Sequence, residues 1–282
     1  MSDGAVSRGD LVIIGGAEDK LGRKTILQRF IDLAGGSDSR IVVLATASSL
    51  GEAIVEVYHG LFTGMGATEV TGLNPMSRSE ANDESATAAL DGATGIFMTG
   101  GNQSKLTSVV AGTALGRKLI EMNRSGTVVG GTSAGASAIS SHMVAFGPSG
   151  DVPKQRMGQL SAGFGLLHDV IIDQHFGKRN RIGRLLSLVA HSPTLLGIGL
   201  DEDTAVLINS DDVMDVVGRG VATIVDGSHI ETDAFRVKRY DPLMVSGAIL
   251  HSLPEGSRFD LRRRTLISAP PRDDRFLAAE DR

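Results

Sequence analysis

Short runs of aliphatic and β-branched residues alternate along the first half of the chain with longer stretches whose apolar positions recur at helical spacing. The runs at 11–16, 41–45, 68–73, 95–100 and 127–130 predict strands; the stretches at 20–33, 52–62, 79–90 and 112–122 predict helices. Strands that alternate with covering helices build a mostly parallel central sheet, and such sheets bind ligands beyond the carboxyl ends of their strands. Glycine pairs fall at those ends: Gly15-Gly16, Gly100-Gly101 and Gly130-Gly131. In the second half a strand is expected within 160–176 and a helix over 179–190. Most of 197–261 reads as strands, with hairpin turns at 209–212 and 226–228, so antiparallel strands are added to the α/β core. No linker divides residues 1–268, which predicts one domain. The charged, proline-bearing segment 269–282 is expected to be a mobile tail.

Composition narrows the chemistry. With 41% hydrophobic and 22% charged residues the chain has the balance of a soluble globular protein, and no apolar run approaches the roughly 20 residues that span a bilayer. Residues 1–10 lack the basic start and apolar core of a secretory signal, which makes a cytoplasmic location the expectation. The chain has no cysteine, so disulfides, thiolate metal sites and a cysteine nucleophile are excluded together. A net charge of −5 argues against a general nucleic-acid binder.

The segment Gly131-Thr132-Ser133-Ala134-Gly135-Ala136 has the G-x-S-x-G spacing, entered by an apolar strand and left by a helix of small residues. Those are the requirements of a nucleophile elbow, which lifts a serine hydroxyl above the sheet. An oxyanion hole needs two aimed donors. The backbone N–H of Ala134 is one candidate, and Gly100-Gly101-Asn102-Gln103 offers Gly101 as the second, with Gln103 beside it. Among seven histidines, His175 ends the apolar run Ile171-Ile172-Asp173-Gln174-His175, where strand alternation puts Asp173 and His175 on one side and Gln174 on the other. Its tunable pKa suits a general base. Lys178, Arg179, Arg181 and Arg184 crowd the start of the next helix, against its dipole, at a cost that an anionic substrate or a buried carboxylate would offset. The orienting acid is open among Asp151, Asp169, Asp173 and Glu202. No third ligand supports a metal site at Asp173 and His175, and no dinucleotide or phosphate-loop pattern calls for a cofactor.

Five blocks in order along the chain resemble the cyanophycinases, relatives of the peptidase E-like serine peptidases. They are Ile14-Gly15-Gly16-Ala17-Glu18-Asp19-Lys20, Gly100-Gly101-Asn102-Gln103, the elbow around Ser133, Asp173-Gln174-His175-Phe176 with Arg179, Arg181 and Arg184, and Gly199-Leu200-Asp201-Glu202-Asp203-Thr204-Ala205. The resemblance implies a class I glutamine amidotransferase-like fold, a homodimer, no cofactor, and hydrolysis of cyanophycin to β-Asp-Arg dipeptides. It implies Ser133 as nucleophile and His175 as base, and pocket roles for Gln103, Asp173, Gln174, Arg179, Arg181, Arg184 and Glu202. The family's acid is a glutamate in the loop after the elbow helix; Asp151 is nearest by position, with Glu202 as the rival. Two other readings stand beside it: a peptidase E-like dipeptidase for α-linked Asp-X, and a non-catalytic amidotransferase-like binding module.

Overall fold

The computed structural model describes residues 7–270, so most of the expected tail lies outside the described residues. The first-half strands form as the pattern predicts: β1 (Leu11–Ile14), β2 (Arg40–Leu44), β3 (Glu69–Leu73), β4 (Gly95–Met98) and β5 (Val128–Thr132). They lie parallel in the order β1-β5-β4-β2-β3. Between them run α1 (Thr25–Leu33), α2 (Glu52–Gly64), α3 (Glu84–Ala88), α4 (Gln103–Val110) and α5 (Ala114–Arg124); α6 (Ala134–Ile139) follows β5 directly.

Helix boundaries differ from expectation where side chains compete for the backbone. The Asp19 carboxylate collects the N–H groups of Leu21, Gly22 and Lys24, and this turn delays α1 from residue 20 to Thr25. The stretch 79–90 is only α-helical over α3, with a 3₁₀ turn before it. Helix α4 arises where the hydrophobic pattern predicts no element; the Asn102 side chain caps it by accepting from Lys105 N.

The second half contributes β6 (His142–Phe146), β7 (Gln159–Ala162), β8 (Val170–Gln174), α7 (Ile182–His191), β9 (Leu196–Leu200), β10 (Thr204–Ile208), β11 (Val213–Gly218), β12 (Val221–Asp226), β13 (Glu231–Thr232), β14 (Val245–Ser246), β15 (Ile249–Pro254), β16 (Arg258–Asp260) and β17 (Thr265–Ser268). Four of these strands extend the parallel sheet antiparallel from its β1 edge, giving nine strands in the order β17-β16-β11-β10-β1-β5-β4-β2-β3. A second sheet runs β15-β12-β9-β8. The 209–212 turn is a hairpin between β10 and β11. The 226–228 turn is not a hairpin, because β12 pairs with β9 and β15 while β13 pairs with β14; Asp226 instead accepts from Ser228 locally.

Strand β1 is buried on both faces, as a central strand must be. Val12 and Ile14 pack with Ile26, Leu27 and Phe30 of α1 and Phe62 of α2. Leu11 and Ile13 face the larger core, which also takes in α4, α5, α6 and inner residues of the second sheet such as Ile172 and Ile198. The outer face of that second sheet is covered by Leu185 and Val189 of α7. The two sheets therefore meet across one core, and a chain passing between them crosses at its rim. Among the described residues, no helix is long and apolar enough to cross a membrane.

Candidate active site

Ser133 sits between β5 and α6 with φ 52° and ψ −106°, a conformation that a side chain disfavours and that persists only when its surroundings impose it. The close approach depends on glycine: a Cβ on Gly131 would lie 2.5 Å from the Gly135 carbonyl carbon, and one on Gly135 would lie 2.3 Å from Met98 O. Ser133 Oγ is 2.9 Å from His175 Nε2, and His175 Nδ1 is 2.7 Å from Glu202 Oε1. The serine, the imidazole and a carboxylate thus form one hydrogen-bonded line.

Glu202 occupies the histidine's second nitrogen, and Asp151 does not. Asp151 is an exposed residue of the loop beyond β6 and makes no hydrogen bond to His175. Glu202 reaches the imidazole because residues 201–203 carry the chain from β9 in one sheet to β10 in the other, over the rim where the sheets meet. Its neighbours serve the crossing: Asp201 accepts from Gly177 N and Val221 N, and Asp203 accepts from Asp19 N. The expected side alternation of Asp173, Gln174 and His175 breaks at the histidine, whose φ of 50° ends β8 and turns the ring toward Ser133.

Burial lowers the His175 pKa from its ordinary value; the Glu202 hydrogen bond and charge oppose that shift, while nearby Arg179 and Arg181 add to it. That shift favours the neutral ring. With Nδ1–H donated to the Glu202 carboxylate, Nε2 is left to accept the serine proton. Ala134 N, the first amide of α6, and Gly101 N have no protein acceptor among the described residues. Gly100 has no side chain to obstruct the serine: a Cβ there would touch Ser133 Cβ at 3.4 Å.

The basic cluster divides. Arg184 grips Asp173 with Nε at 2.8 Å and with Nη2, and donates through Nη1 to Gly147 O; Arg181 Nη1 reaches Asp173 and both oxygens of Gln174. Asp173 and Arg184 are only 1% and 3% exposed, so they form a buried ion cluster. This is the buried carboxylate that offsets the cations' unfavourable position at the helix start. Gln103 spends its amide on Val144 O and Ala145 O, bracing β6. Arg179 is exposed and has no carboxylate partner among the described residues. Gly16, one of the glycines at the strand ends, packs its backbone against the imidazole, a contact that the hydrophobic pattern does not specify: a Cβ there would come within 2.4 Å of His175 Cε1. Among the described residues, no group of three or more His, Asp or Glu side chains is placed to hold a metal ion.

Known proteins place this geometry. Residues 11–216 match the model of peptidase family S51. A cyanophycinase from Geminocystis herdmanii is 40% identical over 255 residues, covering 90% of this chain and 94% of that protein, and one from Trichormus variabilis is 39% identical over 261 residues, covering 92% and 88%. A solved peptidase from an acI-B1 Actinobacterium superposes with a TM-score of 0.64 at 23% identity, over 87% of this chain and 98% of that one. A putative peptidase E from Listeria monocytogenes gives a TM-score of 0.54 at 16% identity, over 76% and 100%. At those identities the two structures speak to the fold alone, an α/β architecture with a large mixed sheet flanked by helices. The family match and the cyanophycinase relatives together establish a serine-type peptidase: the chain belongs to the cyanophycinases of peptidase family S51.

Proposed function

We propose that this protein hydrolyses cyanophycin, the polyaspartate that carries arginine on its side-chain carboxylates, releasing β-Asp-Arg dipeptides. The observation that carries the mechanism is the unbroken line from Ser133 through His175 to Glu202, at 2.9 and 2.7 Å. His175 Nε2 takes the Ser133 proton as Oγ attacks a backbone carbonyl, and the carbonyl oxygen gathers negative charge against the free N–H groups of Ala134 and Gly101. The imidazolium, held by Glu202, passes its proton to the leaving amine. Water then enters, gives its proton to His175 and cleaves the acyl-enzyme. Arg179, exposed and without a carboxylate partner among the described residues, is the cation best placed to take a substrate carboxylate.

In this reading residues 1–268 work as one domain in a cytoplasmic homodimer that needs no cofactor, and light scattering on the purified protein tests the dimer. The decisive experiment incubates the enzyme with insoluble cyanophycin beside α-linked Asp dipeptides and identifies products by mass and linkage. Release of β-Asp-Arg supports the proposal; cleavage of the α-linked peptides alone overturns it in favour of a peptidase E-like activity.

A further inference from the structure

The end of β1 and the loop that follows it hold the backbone of Ser133, of His175 and of Asp203, the residue after Glu202. Three consecutive carbonyls act as its template: Ile14 O accepts from Ser133 N at 3.0 Å, Gly15 O from His175 N at 2.8 Å, and Gly16 O from Asp203 N at 2.9 Å. Gly16 has φ 100° and packs its backbone on the imidazole, where any side chain would collide. Residues distant in sequence, at 133, 175 and 203, are thus set relative to one another by one short segment.

That segment is anchored by a carboxylate which the proposed chemistry does not use. Glu18 is 4% exposed. Its Oε2 accepts from Thr132 Oγ1 at 2.5 Å; its Oε1 accepts from Tyr58 Oη at 2.5 Å and pairs with Lys20 Nζ at 2.6 Å. Burial, and then the Glu18 charge, push the Tyr58 pKa upward, so the phenol remains a donor throughout the working range. Thr132 immediately precedes the strained serine, and Tyr58 belongs to α2 on the far side of the loop. A buried anion satisfied by three donors is a stiff tie, because losing any partner leaves a desolvated charge.

We infer that Glu18 is a positioning residue for the nucleophile: by clasping Thr132 and Tyr58 it holds the 14–18 loop, and through that loop the register of Ser133 against His175. The role rests on the serine mechanism proposed above but not on which amide is cleaved, since the reactivity of Ser133 toward a phosphonate reports it directly. The distance from Ser133 Oγ to Nε2 depends on Thr132 staying against Glu18. A displacement of the order of 1 Å at a reacting pair costs up to about a hundredfold in rate.

The test compares Glu18→Gln, Thr132→Val and Thr132→Ser with wild type, using a serine-directed fluorophosphonate and active-site titration, followed by turnover on cyanophycin. Expected are an inactivation rate constant and a kcat per titrated site lowered roughly tenfold or more in Glu18→Gln and Thr132→Val, with phosphonate affinity and KM changed by less than about twofold. Thr132→Ser, which keeps the hydroxyl, should rescue the rate. The losses in the double variant Glu18→Gln/Thr132→Val should be less than additive, because both substitutions weaken the same Thr132–Glu18 contact. A merely structural role would lower the melting temperature and the fraction of titratable sites but leave the rate per site intact, and that result overturns the inference. If Glu18→Gln does not fold, the Thr132→Val and Thr132→Ser pair decides alone. Wild type that labels at Ser133 but releases nothing from cyanophycin would remove the substrate assignment and leave the positioning role standing.

Discussion

Glu202→Gln is the substitution that weighs most on the mechanism. The amide is isosteric with the carboxylate and sits at the same 2.7 Å from His175 Nδ1, but it can present –NH₂ where the carboxylate could only accept. Facing a donor, Nδ1 gives up its proton, the imidazole takes the other tautomer, and Nε2–H points at Ser133 Oγ with no lone pair for the serine proton. The charge-assisted bond that steadies the imidazolium is lost as well, about 1.5–3 kcal/mol by itself. Together with the wrong tautomer, kcat should fall roughly 1,000- to 10,000-fold, or about 4–5.5 kcal/mol in the barrier. Raising the pH would not repair the loss. Glu202 is what holds the His175 pKa up against burial, so without it the ring is neutral to still lower pH, and the defect lies in tautomer and charge, not in protonation. The assay is release of β-Asp-Arg across pH 5–9, run beside Asp151→Asn, which should stay within about twofold of wild type because that side chain is exposed and makes no hydrogen bond to the imidazole. A Glu202→Gln enzyme retaining more than about a tenth of wild-type kcat, or an equally deep loss in Asp151→Asn, would refute the assignment.

Other outcomes follow from the same geometry. Arg179→Gln removes a cation that disfavours the imidazolium, so the His175 pKa should rise and the acid limb of kcat/KM should move to higher pH; an unmoved or lowered limb contradicts the placement of that charge. Ser133→Ala should abolish turnover with a melting temperature close to wild type, whereas Ser133→Gly, equally inactive, should melt about 2–4 °C higher because it relieves the φ of 52°. Asp173→Ala leaves the buried Arg181 and Arg184 uncompensated and should lower the unfolding free energy by roughly 3–5 kcal/mol in a urea titration; a change confined to KM would return Asp173 to the pocket wall.

What local sequence decides is local. Apolar runs bounded by glycine specify β1, β4 and β5, and the small residues of 131–136 specify the tight strand-to-helix turn at Ser133, because strand burial and such a turn each impose their composition within a few positions. His175 was legible for the same reason, as a polar residue ending a strand with nothing apolar to do. The identity of its partner was not. Asp151 and Glu202 are both carboxylates near turns, and only the crossing of 201–203 between two sheets brings one of them to Nδ1. The direction of His175 itself depends on a left-handed φ that no alternation rule contains, and the burial of Asp173 with Arg181 and Arg184 depends on strand β8 packing beneath the helix that follows. Propensity and periodicity act over a turn or two of chain, whereas the hydrogen-bonded line joins residues 133, 175 and 202, whose separation is set by how the sheets close on a shared core.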